Sequence, residues 1–270
     1  MTYRPPNPFG VKPAYWGRIL EMRLLDDLFM RAALDDNPEA VQLILRIILE
    51  KPDLIVKSVH TQREYKNLYG HSVRLDVEAT DSEGKLYNIE IQRSDEGAAP
   101  ERARFNSALL DTHALQSGQD AANLPETYVV FITENDLWKR DIAVYHIDRV
   151  IAETGEKFGD RAHIVYANGA YRGETAIGRL MADFRARDPE AMYYSALADR
   201  VRHLKYSETG VSHMCRAMES LVQEEVETER LNNIRTLMET LELSADRAMA
   251  ALRIPKEEWR YYQKLLERQS

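Results

Sequence analysis

Arg74-Leu75-Asp76-Val77-Glu78-Ala79-Thr80-Asp81-Ser82-Glu83-Gly84-Lys85-Leu86-Tyr87-Asn88-Ile89-Glu90-Ile91-Gln92-Arg93 is the stretch whose reading decides the fold. Val73, Leu75, Val77 and Ala79 alternate with Arg74, Asp76, Glu78 and Thr80, the period of a half-buried strand. Tyr87, Ile89 and Ile91 alternate with Asn88, Glu90 and Gln92 in the same way. Between the two runs, Asp81 to Lys85 reads as a three-residue hairpin loop in which Gly84 supplies the positive φ. With Asp81 facing Lys85, counting back along both arms sets Asp76 opposite Glu90, with Gln92 two residues along on the same face. Facing side chains on adjacent strands approach to about 4.5–5.5 Å at Cβ, and two like charges there destabilise the pair unless something offsets them. A hard divalent cation does so, because Mg²⁺ takes oxygen ligands and is commonly held by one or two carboxylates with water and phosphate. The same spacing also describes an ordinary solvated hairpin face, and parity alone leaves both readings open.

Outward from the hairpin, the chain alternates helical and strand patterns. Leu24, Leu25, Leu28 and Phe29 form one apolar stripe, and Asn37-Pro38 begins a helix whose face is Val41, Ile44, Leu45 and Ile48. Residues 101–116 read as a helix. Tyr128 to Thr133 (YVVFIT) is a continuous apolar run, expected as a central strand covered on both sides. Residues 143–147 and 163–167 read as further short strands. From Thr175 helices take over, at 175–186, 190–204, 211–240, 244–252 and 256–267. The expected organisation is a Pro-rich N-terminal tail over 1–18, a mixed α/β domain over 19–187 and a helical C-terminal region over 188–270.

Composition limits what such a domain does. The 270 residues carry 36 Lys+Arg against 44 Asp+Glu, a net charge of −8. A protein that merely coats nucleic acid carries excess positive charge, so any contact with DNA should be made through a local patch or a metal. Residues 57–104 contain 8 Lys+Arg and 9 Asp+Glu, a nearly neutral stretch in an acidic chain, and Lys57, Arg63, Lys66 and Arg74 could follow phosphates there. The single cysteine, Cys215, excludes an internal disulfide framework and a multi-Cys zinc site. No apolar run reaches the roughly 18–20 residues of a membrane span, and the opening MTYRPPNPFG has no apolar stretch for a leader, so the expected location is the cytoplasm. The seven histidines are scattered without metal-ligand spacing, which leaves Ser/His/Asp and Cys/His catalysis without support.

The order Arg74-Leu75-Asp76-Val77, short hairpin, Asn88-Ile89-Glu90-Ile91-Gln92 resembles the D…(D/E)-x-K core of the PD-(D/E)XK nuclease superfamily. Its context is similar to one branch, the recombination-promoting nuclease / putative transposase family. Leu25-Asp26-Asp27-Leu28-Phe29, Arg102-Ala103-Arg104-Phe105, the YVVFIT strand, Val144-Tyr145-His146-Ile147 and Ala167-Asn168-Gly169 carry that likeness, over about residues 25–191. It implies a restriction-endonuclease-like core, a DNA substrate, and a Mg²⁺ or Mn²⁺ cofactor held by Asp76, Glu90 and the Ile91 carbonyl. Gln92 stands where the superfamily usually has Lys, although the resemblance makes a Gln there familiar within this branch, and Gln only hydrogen-bonds where Lys would also offset charge. Arg102 or Arg104 is the candidate replacement cation unless either pairs with Glu101 or Asp95, and Arg74, Arg102 and Arg104 are the candidate DNA contacts. Asp26, Asp27 and Glu39, on early helices, read as helix-start acids, although the superfamily sometimes recruits an acid from its first helix. The leading expectation is therefore a Mg²⁺-dependent DNA endonuclease linked to mobile elements or recombination. The alternative is a catalytically impaired nuclease fold kept for binding DNA or protein, and a third reading is an interaction protein assembled through its helical tail as a homo-oligomer.

Overall fold

The hairpin pairs as its alternation dictates. In the computed structural model, which describes residues 7–65, 73–115 and 118–267, β2 (Val73–Asp81) runs antiparallel to β3 (Leu86–Gln92). Their register runs from Thr80↔Leu86 to Val77↔Ile89. The Asp81 amide bonds the Lys85 carbonyl at 3.2 Å, and Gly84 has φ +82°. Asp81 locks the loop by accepting from the Glu83 and Lys85 amides, both at 2.9 Å.

From this hairpin a six-stranded sheet extends in the order β1-β2-β3-β4-β6-β5. β1 (Val56–Tyr65) lies antiparallel to β2. β3, β4 (Thr127–Thr133) and β6 (Ala162–Asn168) are parallel, and β5 (Val144–Ile147) closes the far edge antiparallel to β6. Every residue of β4 is buried, as its unbroken apolar run requires of a strand covered on both faces. β1 is an element the sequence reading lacks. Its run VKSVHTQREY is polar at most positions, as befits an edge strand that must not invite pairing.

Helices cover the sheet. α1 (Pro13–Glu21) buries Trp16 and Ile19, so helix begins inside the stretch expected to be Pro-rich tail. α2 (Asp27–Leu34) packs against β1, β2 and β3, and α3 (Pro38–Ile48) against β1, with the Asn37 side chain accepting from the Ala40 amide as N-cap. α4 (Pro100–Ala114) crosses from β3 to β4 over a cluster of Leu75, Ala98, Ala103, Leu110, Val129 and Phe131. α5 (Ala176–Arg185) and α6 (Ser195–Tyr206) follow. Lys205 of α6 is fully buried, and its Nζ donates to the carbonyls of Leu20, Met22 and Arg187 at 2.9, 2.6 and 2.6 Å. One ammonium thus ties the α1–α2 connection and the segment after α5 to α6.

Two compact units divide within α7 (Glu208–Thr240), between Met214 and Cys215. The second unit has its own small core. Leu231 and Ile234 of α7 meet Ala248 and Met249 of α8 (Ala245–Ala251), Ile254, and Tyr262 of α9 (Lys256–Glu267). Tyr262 is the core aromatic here while Tyr261 is exposed. Among the described residues, no helix is long and apolar enough to cross a membrane.

Replacing Lys205 by Met keeps much of the volume but leaves three inward carbonyls without their donor. An unpaired buried polar group costs about 1–3 kcal/mol, so Lys205→Met should lower the urea midpoint by at least that equivalent at unchanged slope. An unchanged midpoint would show that the tether contributes nothing.

Candidate metal and phosphate site

The hairpin ladder stops one residue short of Asp76. In place of a ladder bond, the Asp76 amide donates to Glu90 Oε1 at 3.2 Å. The structure therefore brings Asp76 and Glu90 together, as the expected register requires, and buries both; Glu90 is 0% exposed. Burial, then the Glu90 charge, then the Asp27 charge push the Asp76 carboxyl up to about 8, with Arg31 opposing them.

Glu90 is held from three directions. Its Oε1 also accepts from Asn88 Nδ2 at 2.9 Å, and its Oε2 faces Arg102 Nη2 at 3.5 Å. Asn88 is in turn fixed by α4, where Asn106 Nδ2 donates to Asn88 Oδ1 at 3.2 Å. Arg102 and Asn106 lie four residues apart on one helical face, so α4 presents a cation and an amide to one strand. The sequence reading did not single out Asn88 or Asn106. The usable signal was strand parity, which puts Asn88 on the face of Glu90 and Gln92.

From the other side comes α2. Asp27 opens the helix and Arg31 follows one turn later; Arg31 Nη2 pairs with both Asp27 Oδ2 and Asp76 Oδ1, the latter at 3.2 Å. Asp27 Oδ1 and Arg31 Nε are buried without a hydrogen-bond partner. Asp27 was expected as a helix-start acid. It is that, and it also faces the hairpin acids. The helix start is pinned by a second cluster, in which Arg93 bonds Glu134 and Asp26 at 2.9 Å each and Arg23 bonds Glu134 at 3.0 Å.

The remaining expected residues are placed as follows. Ile91 is buried in β3, paired with Ile132. Gln92 ends the strand half-buried, its amide lying over Gly97 so closely that a Cβ there would sit 2.1 Å from Gln92 Oε1. Arg102 reaches Glu90, whereas Arg104 is exposed on α4. Asp95 accepts from Asn135 at 3.3 Å. The backbone of Arg74 belongs to β2, but its side chain and that of Arg63 lie outside the described residues, as does Lys66 entirely.

The donor set around Asp76 consists of oxygens, includes an unsatisfied buried carboxylate oxygen and crowds like charge, so it suits a hard divalent cation. Among the described residues, no three His, Cys, Asp or Glu side chains are pre-assembled to hold an ion. The protein's share would therefore be the Asp76 and Glu90 carboxylates with backbone oxygen, and water or phosphate would supply the rest.

An acid whose folded pKa is raised contributes stability below its unfolded value, and that contribution is lost as pH rises through about 8. In EDTA the wild-type chain should thus lose stability relative to Asp76→Asn as pH climbs from about 4 to 8, and Asp76→Asn should melt higher at pH 8. Paired thermal melts decide it; a lower-melting Asp76→Asn would show that Arg31 outweighs burial and Glu90.

Comparison with known proteins matches residues 32–168, half of the chain, to the PD-(D/E)XK nuclease family transposases. Among curated proteins and among solved structures, nothing matches the chain. The matched span contains the whole hairpin, α4 and the parallel strands through Asn168, and the mixed sheet is consistent with that family's core. The chain belongs to the PD-(D/E)XK nuclease family of transposases.

Proposed function

We infer that the protein is a divalent-metal-dependent DNA endonuclease, and the observation that carries this reading is the buried Asp76–Glu90 pair at the end of the hairpin ladder. The nuclease-like domain is assigned to residues 19–187, ahead of a helical C-terminal region over 188–270. Asp76, Glu90 and the Ile91 carbonyl would hold Mg²⁺ or Mn²⁺, and DNA is the substrate. A divalent ion there would supply a water of lowered pKa and offset charge on the phosphate.

The chain's own residues do the remaining work. Asn88, backed by Asn106, fixes Glu90 Oε1, so the second oxygen keeps one orientation. Gln92, held over Gly97, is placed to hydrogen-bond a water or a phosphate oxygen. Arg102, 45% exposed, reaches from the rim of the site to Glu90 and gives α4 a phosphate contact.

The second reading, a nuclease fold kept for binding, is favoured by one observation, the neutral Gln92 at the usual Lys position. Plasmid nicking separates the two. The wild type should nick or linearise DNA with Mg²⁺ or Mn²⁺ and not with EDTA, and Glu90→Gln should lose this activity while keeping its circular dichroism. Equal cleavage by both would place the activity elsewhere; binding without cleavage would establish the second reading.

Gly97 offers a milder probe. It has no positive φ, so Ala suits its backbone, yet the new Cβ must displace the end of the Gln92 side chain. Gly97→Ala should lower the cleavage rate with little change in melting temperature, whereas an unchanged rate would remove Gln92 from the reaction.

A further inference from the structure

The nuclease reading leaves one charge unaccounted for. A phosphodiester under attack gathers negative charge, and a fixed cation near it is worth more in a water-poor site than in solvent. Gln92 supplies none, because an amide side chain carries no charge. Arg102 is nearly half exposed and meets Glu90 only at 3.5 Å. The better-placed guanidinium comes from α2, just before the matched span begins at residue 32.

Arg31 is 20% exposed and sits on Asp76, itself 9% exposed, at 3.2 Å, while Asp27 holds the same nitrogen from within the helix. Two features set this apart from an isolated ion pair, even with the Asp27 side chain 47% exposed. One guanidinium nitrogen bridges two acids, and one of those acids is the candidate ligand itself. The Nε donor of Arg31 and the Oδ1 acceptor of Asp27 are both buried and both lack a partner. A buried donor and a buried acceptor left unpaired are costly, and each calls for a water, an ion or a substrate atom to complete it. An anionic oxygen would complete Nε, and a guanidinium presents its donors to phosphate oxygens in a fixed fork.

Resting on the nuclease reading, we propose that Arg31 is the fixed cation of this site and takes over the charge role of the lysine that Gln92 replaces. In the metal-free chain Arg31 Nη2 rests on Asp76 Oδ1. When Asp76 serves a divalent cation, Arg31 is released from it, stays anchored by Asp27, and gives Nε–H to a phosphate oxygen of the substrate. Arg31 and a divalent ion therefore compete for Asp76, and this competition yields a readout independent of cleavage.

The test is calorimetric titration of Mn²⁺ into the full chain without DNA, beside plasmid cleavage by the same preparations. Arg31→Gln should bind Mn²⁺ tighter, on the order of tenfold, because the guanidinium that competes with the ion for Asp76 and repels it is gone. Its cleavage should nonetheless fall by roughly 10- to 100-fold. Arg31→Lys should keep the wild-type Mn²⁺ affinity and most of the cleavage. A merely structural Arg31 would give the opposite sign, with Arg31→Gln loosening Asp76 and weakening Mn²⁺. Should Arg31→Gln fail to fold, Asp27→Asn carries the test. Arg31 then rests on Asp76 alone and Mn²⁺ binding must weaken; unchanged binding overturns the proposal. A wild type that binds Mn²⁺ and cuts DNA, with Arg31→Gln binding no tighter or cutting equally fast, overturns this inference alone. A wild type that does neither overturns the nuclease reading and this inference with it.

Discussion

Two carboxyl groups held together out of water are the constraint on which the rest of this structure depends. Asp76 and Glu90 lie side by side in a hairpin that would tolerate them more easily as solvated side chains, and the surrounding elements are arranged around that cost. The ladder gives up a backbone bond so that the Asp76 amide can serve Glu90. Asn88 spends its side chain inside the sheet for the same acid, and Asn106 is buried on α4 to hold Asn88. α2 begins where it does because Arg23, Arg93, Asp26 and Glu134 clamp its start, and this clamp sets Arg31 on Asp76. A purely structural hairpin would replace these acids by apolar residues and need none of those supports.

What was legible in the sequence follows from how local the governing physics is. The hairpin was readable because strand parity and a single left-handed Gly84 fix its register, and a one-residue slip would have turned its apolar side to solvent. β4 was readable because only a strand covered on both faces is apolar throughout. α1 was missed because Pro13 was read as part of a loop-like tail, although Pro is favoured at the first helical position and Trp16 and Ile19 are spaced for burial. β1 was missed because an edge strand with a polar sequence has little alternation to detect. Lys205 is a limiting case. Nothing in Leu204-Lys205-Tyr206 indicates that its ammonium meets three carbonyls from two distant segments.

The site divides along the same line. Asp76, Glu90 and Gln92 share one hairpin and could be read from spacing, with the family resemblance deciding between a solvated face and a working one. Arg31, Asp27 and Asn106 belong to helices that meet the hairpin only through tertiary packing, so their periodicity places them on a face without naming what that face touches. Arg102 was anticipated as a replacement cation, with Glu101 or Asp95 as competing partners. The fold instead directs it to Glu90, because α4 crosses the sheet directly over β3 and β4.

The neutral residue at position 92 takes on a different sense in this setting. A lysine on β3 would bring its charge along the same strand as Glu90, from the α4 side already supplied by Arg102. Placing a half-buried cation on α2 puts it against Asp76 instead, so the two acids are met separately, Asp76 by Arg31 and Glu90 by Arg102 with its amide donors. Such an arrangement lets β3 end in a residue that needs only hydrogen bonds, and Gly97 leaves it the room to lie flat. The charge that the strand lacks is offered by Arg31 from α2, the helix whose start Arg23, Arg93, Asp26 and Glu134 clamp in place.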